Sequence, residues 1–227
     1  RWYQSSSSPL FVQPHATLFS KAEDTLFVFS QAGNYYYSIE IADMNNNFPE
    51  VSSAIPLDNT PSNGEVHDAI ASPDNSKYFL TCPKRNEVRV FDMQTHKWLA
   101  TIPVGTFPQE LAISPRTGKL FVSCMEDVST FNEPLLKGVV SVINYNSLSK
   151  VTDLKGYNQP HGIAVDENKN LLYVANRNIN PNGPAPHHTS ACGGRNGKLQ
   201  FFNLNTLEQL NTVPELSVDP YFISIRN

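Results

Sequence analysis

Three histidines of this sequence start strand-like runs that resemble one another. His15 and His161 each follow a proline, and His67 follows Val66. Neutral imidazole binds copper, zinc and iron, and its pKa of about 6.5 also lets it transfer protons near neutral pH. Further donors of the same chemical kind lie in one later stretch: His187, His188 and Cys192. These residue types raise the hypothesis of a metal or ligand site, which depends on the elements that carry them.

The runs belong to an internal repeat. "PHATLFSKAEDTLFVFS" at 14–30 aligns with "PHGIAVDENKNLLYVAN" at 160–176, and "VHDAIASPDNSKYFLTC" and "PQELAISPRTGKLFVSC" fit the same frame. Units begin near residues 14, 66, 108 and 160, and a last partial unit begins near 220 with "PYFISIRN". A repeat of about 42 residues with insertions is typical of the four-stranded blade of a β-propeller.

Each unit shows the same order of strands. A short apolar first strand is followed by a turn such as "SPDNSK" and by a second strand such as "YFLTC". A third strand with alternating apolar residues then ends in a turn, and "KWLATIPVG" at 97–105 is the clearest fourth strand. We therefore predict an all-β chain of four-stranded antiparallel propeller blades over 14–227, either a partial propeller or a fragment of a larger one. The innermost strands should be 15–20, 67–72, 109–114, 161–166 and 220–225, and residues 1–13 should form a linker or the outer strand of a preceding blade.

The motifs resemble YVTN-type β-propeller repeats, a family found in surface-layer and other exported proteins. "YVAN" at 173–176 is the best match, "PHGIAVD" and "FDMQTHKWLATIPVG" also fit, and Cys82 and Cys124 replace the family's asparagine. The resemblance covers about residues 14–227. It implies a propeller fold, but members of such families include structural, binding and redox proteins, so it does not imply one function.

Propeller geometry would bring the candidate residues to one rim. The first strand of each blade starts at that rim, here called the top, and the second strand ends there. The top should therefore carry the equivalent residues His15, His67, Gln109, His161 and Tyr221. It should also carry Cys82, Cys124 and the long segment 177–197, which includes Arg177, Arg195 and the second group of donors. His96 falls in a turn on the opposite face, where only short turns are expected.

Three interpretations of the top residues remain open. The histidines could be part of the repeat's structure, as imidazoles that cap backbone groups. Histidine and cysteine from separate blades could instead bind copper, zinc or iron, with His15, His67, His161, His187, His188 and Cys192 as ligands. The third interpretation is an anionic ligand held by these histidines with Arg177 and Arg195.

Composition limits the classes of partner. The net charge is −4 and no cluster of Lys and Arg appears, which argues against a nucleic-acid surface. Apolar runs are far shorter than the roughly 20 residues of a membrane span. Few charges and many Asn, Ser and Thr residues favour an exported protein, at the cell surface, in the periplasm or outside the cell.

Two structural expectations concern the turns and the cysteines. Asp92, Asn144 and Asn203 recur at one turn position and should be structural caps. Cys82 and Cys124 occupy equivalent places in neighbouring blades and should not form a disulfide.

The leading functional hypothesis is a non-catalytic module that binds a protein partner or small ligand through its top. The alternative is a metal-dependent redox or hydrolytic propeller protein with its metal at the channel mouth. Further blades or domains in a longer polypeptide would fit either hypothesis.

Overall fold

The structure is a computed structural model that describes residues 12–41, 51–57, 65–125, 138–157, 159–177, 196–218 and 220–225. The chain forms two compact units, Arg1–Thr101 and Ile102–Asn227. Four antiparallel sheets of four strands account for nearly all of the regular structure described. One 3-10 turn, Pro83–Arg85, follows the second strand of the second sheet. In the described residues no helix is long and apolar enough to cross a membrane.

The first unit contains two sheets, each with its strands in sequence order. The first sheet consists of β1 (Pro14–Phe19), β2 (Thr25–Ser30), β3 (Tyr35–Glu40) and β4 (Ile55–Pro56). The second sheet consists of β5 (Ala69–Ala71), β6 (Lys77–Cys82), β7 (Glu87–Asp92) and β8 (Trp98–Pro103), whose last two residues fall in the second unit.

The second unit has the same architecture. Its first sheet consists of β9 (Pro108–Ser114), β10 (Lys119–Cys124), β11 (Gly138–Asn144) and β12 (Ser149–Tyr157). Its second sheet consists of β13 (Pro160–Asp166), β14 (Leu171–Asn176), β15 (Asn196–Asn203) and β16 (Glu215–Val218). We call the end of a sheet where its first strand begins the top end, and the end where its first and second strands are joined the bottom end.

An apolar layer holds the two sheets of each unit together. In the first unit the layer includes Phe29 and Tyr36 from the first sheet and Tyr78, Leu80 and Phe91 from the second. The second unit repeats the arrangement with another ten buried side chains, among them Phe121, Val140, Leu172, Val174 and Phe202. Alternate residues of a strand point to opposite faces of its sheet, so Tyr36 enters this layer while Tyr37 packs on the other side with Val28 and Ile39. The alternating aromatic residues of the third strands therefore contribute to packing between sheets.

The predicted caps between third and fourth strands are confirmed. The Asp92 carboxylate accepts hydrogen bonds from the backbone N–H groups of Gln94 and Thr95, at 3.1 and 2.7 Å. The amide oxygens of Asn144 and Asn203 accept the equivalent pairs, with distances between 2.9 and 3.1 Å. The fifth residue of each turn is left-handed, with φ of 55° at His96, 54° at Leu148 and 63° at Leu207. The same side-chain oxygen thus closes the same tight turn three times.

The predicted first strands agree with the structure in four of five units. β1, β5, β9 and β13 each lie at one end of their sheet's strand order. β5 is only three residues long, whereas 67–72 was expected. The prediction was wrong for 220–225, which forms no strand. This segment still lies against β13, because its backbone around Phe222 comes within 2.9 Å of where a side chain on Gly162 would begin. No second strand to pair with it is present among the described residues.

Loss of a turn cap should destabilise the protein measurably. Asn144→Ala removes the acceptor for two backbone N–H groups, and the loss of a comparable side-chain acceptor at the start of a helix typically costs about 1 kcal/mol. For a chain of this size the midpoint of thermal unfolding should fall by roughly 2–4 °C. Asn146→Ala is the matched control, since Asn146 lies in the same turn with an exposed side chain. Equal midpoints for the two variants would contradict the capping role.

The buried cysteines should resist alkylation in the folded protein. Burial raises the pKa of the Cys124 thiol to about 12, so at a pH of about 8 almost none of it is the reactive thiolate. We expect iodoacetamide to leave the peptides that contain Cys82 and Cys124 unmodified until denaturant is added, as read by mass spectrometry. Rapid labelling of either peptide in native buffer would show that these positions are open to solvent.

Candidate functional site

A repeated backbone feature shapes the top ends. The residue before the first strand is left-handed in three sheets, although it is not glycine, which is uncommon. These residues are Gln13, Phe107 and Gln159, with φ of 44°, 56° and 54°. In each case the carbonyl oxygen accepts a hydrogen bond from the N–H of the residue that follows the second strand, at 2.9–3.1 Å. The register between the first two strands then shifts near the second residue of the first strand, which sets the direction of the His or Gln side chain.

In the first unit, His15 and His67 are in direct contact. Their ring centroids are 4.2 Å apart, and the ring planes are tilted by 43°. His15 Nδ1 lies 2.7 Å from the His67 carbonyl oxygen. A carbonyl can only accept, so His15 donates from Nδ1 and can present Nε2 as an acceptor when the ring is neutral. His67 is buried, with 2% of its surface exposed, and the pair therefore ties the first sheet to the second.

In the second unit, His161 is fully buried between β10 and the segment around Tyr221. The Ser123 hydroxyl donates to the His161 carbonyl oxygen at 2.6 Å, as His15 does to His67 in the first unit. The imidazole packs against the Tyr221 ring with centroids 3.7 Å apart. Its Nδ1 lies 3.6 Å from a carboxylate oxygen of Glu110, close enough for an ion pair when the imidazole is protonated.

Arg177 completes this cluster. Its guanidinium lies over the Tyr221 ring, 5.2 Å from the centroid, and its Nη1 is 3.9 Å from the Met125 sulfur. The residue is fully buried, which is rare for arginine because the charge must be removed from water. A planar guanidinium on an aromatic face is a cation–π arrangement. We call Glu110, His161, Arg177 and Tyr221 the top cluster of the second unit.

Gln109 occupies the histidine position of its sheet but has a local role. It is fully buried, and its amide nitrogen donates to the carbonyl oxygens of Pro108 and Phe107 at 2.9 and 3.3 Å. These two bonds hold the side chain to the backbone at the start of β9. The repeat position therefore carries a buried polar side chain in each of the sheets that begin at 66, 108 and 160.

The two cysteines of the second strands occupy structural positions. Within the described residues neither Cys82 nor Cys124 takes part in a disulfide, and both are buried. Cys124 Sγ lies 3.8 Å from the Ser141 hydroxyl on the next strand. In the fourth sheet the equivalent residue, Asn176, donates to Gln200 at 2.7 Å. This position therefore bonds the second strand to the third in both sheets of the second unit.

The predicted metal ligands are only partly within the described residues. The predicted ligands His187, His188 and Cys192 lie outside them, as does Arg195 of the predicted anion site. His15 and His67 meet in the first unit, and His161 lies in the second. Among the residues that the structure describes, no three His, Cys, Asp or Glu side chains are arranged to hold a metal ion.

A cleft that the sequence did not reveal lies at the bottom end of the first unit. It has a volume of about 590 Å³, and His96 is one of its lining residues. The repeat pattern predicted only short turns at this end. The sequence did contain a signal for this cleft. Aromatic residues occupy strand positions that face a neighbouring sheet, and a histidine lies in the turn between the third and fourth strands.

Comparison with known proteins supports the fold. No protein-family model and no curated protein sequence matches this chain. The chain does match solved structures. One of them is hydrazine synthase from Kuenenia stuttgartiensis, with a TM-score of 0.65 and 14% sequence identity over 96% of this chain. A putative 6-phosphogluconolactonase from Bacteroides uniformis matches with a TM-score of 0.66 and 16% sequence identity over 91% of this chain. The dihydro-heme d1 dehydrogenase NirN, in complex with DHE, matches with a TM-score of 0.60 and 15% sequence identity over 89% of this chain.

The chain spans 51%, 55% and 37% of the length of those three proteins. At 14–16% identity the similarity establishes shared architecture and leaves function open. These structural relatives are β-propeller proteins, and they do not single out the YVTN family. The four antiparallel sheets and these relatives together make the chain a β-propeller fold.

Proposed function

We propose that this chain is an exported propeller module that binds a protein partner or a small ligand through the top ends of its sheets. The observation that carries the proposal is the burial of Arg177 against Tyr221, beside His161 and Glu110. A guanidinium removed from water is costly for folding, and we infer from this cost that Arg177 serves recognition as well as the fold. Such a role fits arginine, whose planar group binds carboxylates and aromatic faces in a fixed geometry.

The connections of the chain also favour the top ends. Segment 126–137 joins β10 to β11, and segment 178–195 joins β14 to β15. Both connections leave from top ends, because second strands end there and third strands begin there. In propeller-like scaffolds, binding residues are commonly carried on loops that a rigid sheet positions. The top cluster of the second unit lies directly where the longer connection leaves β14.

The proposed location outside the cytoplasm rests on composition. Charged residues make up 17% of the chain, below the roughly 25% of an average soluble domain. The YVTN-like motifs support the same setting, because that resemblance points to exported proteins.

Substitution of the buried top histidines should weaken binding. His161 and His67 are buried beneath the top ends, so their truncation should misplace the residues that contact a partner. We expect His161→Ala or His67→Ala to weaken binding of a captured partner at least about tenfold. His96→Ala is the control, since His96 lies at the bottom end. Affinity would be measured by biolayer interferometry on variants whose circular dichroism and melting midpoint show that they are folded. If His96→Ala weakened binding of the partner as much as His161→Ala does, the assignment of the binding surface to the top ends would be wrong.

The planar group of Arg177 should matter beyond its charge. Arg177→Lys keeps one positive charge but loses the guanidinium that lies over Tyr221, so we expect several-fold weaker binding. Arg116→Lys is the matched control in the same unit: Arg116 pairs with Glu167 at 2.9 Å at the bottom end and is partly exposed. The same binding assay, with melting curves for both variants, makes the comparison. Unchanged affinity for Arg177→Lys would mean that the buried arginine serves the fold alone.

A further inference from the structure

The cleft at the bottom end of the first unit, here the bottom cleft, has the size of a small-molecule site. Its volume of about 590 Å³ falls within the roughly 300–1,000 Å³ of typical ligand pockets. Three turns line it, those that join β1 to β2, β5 to β6 and β7 to β8. Phe27 and Met93 supply buried apolar surface to its wall. The bottom cleft therefore combines apolar and polar surface, as binding sites for small organic molecules usually do.

His96 is held rigidly in this wall by aromatic side chains. Its ring stacks on Tyr36 with centroids 5.2 Å apart and meets Phe27 edge-on at 4.7 Å. Its Nδ1 lies 3.1 Å from the Tyr78 hydroxyl. Its Nε2 makes no hydrogen bond with a described residue and is not buried. The ring is thus fixed in position, His96 lines the bottom cleft, and Nε2 has no hydrogen-bond partner among the described residues.

The contact with Tyr78 determines which nitrogen carries the proton. Tyr78 is fully buried, and burial raises the pKa of its hydroxyl far above the ordinary value, so the hydroxyl stays protonated. His96 Nδ1 is its hydrogen-bond partner, and a buried hydroxyl that donates to nothing is destabilising. The hydroxyl therefore donates to Nδ1. Burial also lowers the pKa of His96, so at neutral pH the ring is neutral and carries its proton on Nε2.

Among the described residues, two charged side chains line the bottom cleft, and they are not equally available. Lys21 is exposed and forms no ion pair with a described residue. Asp92 is committed to its own turn: one carboxylate oxygen accepts hydrogen bonds from the N–H groups of Gln94 and Thr95 and from the Thr95 hydroxyl. Asp92 stays negatively charged, because its turn hydrogen bonds lower its pKa. The Lys21 ammonium and the His96 Nε2–H are donors without a partner among the described residues, and they favour an acceptor group on the ligand.

We propose that the bottom cleft binds a small organic carboxylate. The carboxylate accepts from His96 Nε2–H and pairs with the Lys21 ammonium, while an apolar body packs against Phe27 and Met93. Two kinds of molecule share this chemistry: plain carboxylic acids and amino acids. An amino acid would also place its ammonium near the second carboxylate oxygen of Asp92.

Three molecules of similar shape make the test: phenylacetate, phenylalanine and the uncharged phenylacetamide. Dissociation constants come from titration calorimetry on the whole chain, and ¹⁵N chemical shifts of the His96 ring report both its tautomer and contact with the ligand. We expect one or both acids to bind at least about tenfold more tightly than the amide, because hydrogen bonds to a charged acceptor are the stronger ones. If phenylalanine binds better and Asp92→Asn removes its advantage, the ligand class is amino acids; otherwise it is plain carboxylates.

Variants locate the binding within the bottom cleft. Lys21→Met should weaken binding of the acid roughly two- to fivefold, as expected for the loss of an exposed ion pair. Lys97→Met removes a nearby lysine that does not line the bottom cleft, so it should have no effect on binding. His96→Asn should weaken binding of the acid at least about tenfold, and asparagine tolerates the left-handed backbone at this position. Lys155→Met should leave binding of the acid unchanged, because Lys155 is exposed on β12 and does not line the bottom cleft.

Clear results would overturn the proposal. Failure of both acids to bind saturably, equal affinity for the amide, or equal effects of the two lysine variants would each do so. A His96 ring with its proton on Nδ1 in the wild-type chain would also do so, and this measurement needs no ligand.

Discussion

The hydrogen bond that closes the top of the first hairpin controls the geometry of the top ends in both units. A left-handed residue before the first strand offers its carbonyl to the N–H just beyond the second strand, in the hairpins of β1, β9 and β13. This bond fixes where the two strands begin to pair, and the adjacent register shift then turns the next side chain inward. Without it, His15, Gln109 and His161 would have no common orientation. Gln109 and His161, two of the buried polar residues at the top ends, therefore take their direction from a backbone constraint.

Those polar residues join one sheet to the next. The carbonyl oxygens of His67 and His161 each accept a side-chain hydrogen bond from the preceding sheet of their unit, from His15 and from Ser123. Apolar layers alone leave sheets free to slide, because hydrophobic attraction has no direction. Directional bonds at one end remove that freedom. The same arrangement explains why an imidazole in this repeat is first a structural group and only then a candidate for binding.

The two ends of a sheet differ because of how the strands are connected. The first-to-second connections at the bottom are tight turns, and three of the four third-to-fourth connections begin with turns capped by Asp92, Asn144 and Asn203. The exception is 41–54, which joins β3 to β4 at the bottom of the first sheet. Connections at the top include the two long segments, 126–137 and 178–195. In the second unit, length therefore favours the top as a recognition surface for large partners. The bottom cleft shows that tight turns from two neighbouring sheets can also enclose space for a small molecule.

The sequence alone determined the four sheets, nearly all of their first strands and the turn caps. These features are local, because strand alternation, turn chemistry and repeat spacing act within about 40 residues. They recur in each unit, so they can be recognised in the sequence. The contact of Arg177 with Tyr221 and the setting of His96 among Phe27, Tyr36 and Tyr78 were not visible in it. Each joins segments that are distant along the chain, and their separation depends on how two sheets pack. The segment 220–225 shows the same limit, because a strand-like sequence becomes a strand only where a partner strand lies beside it.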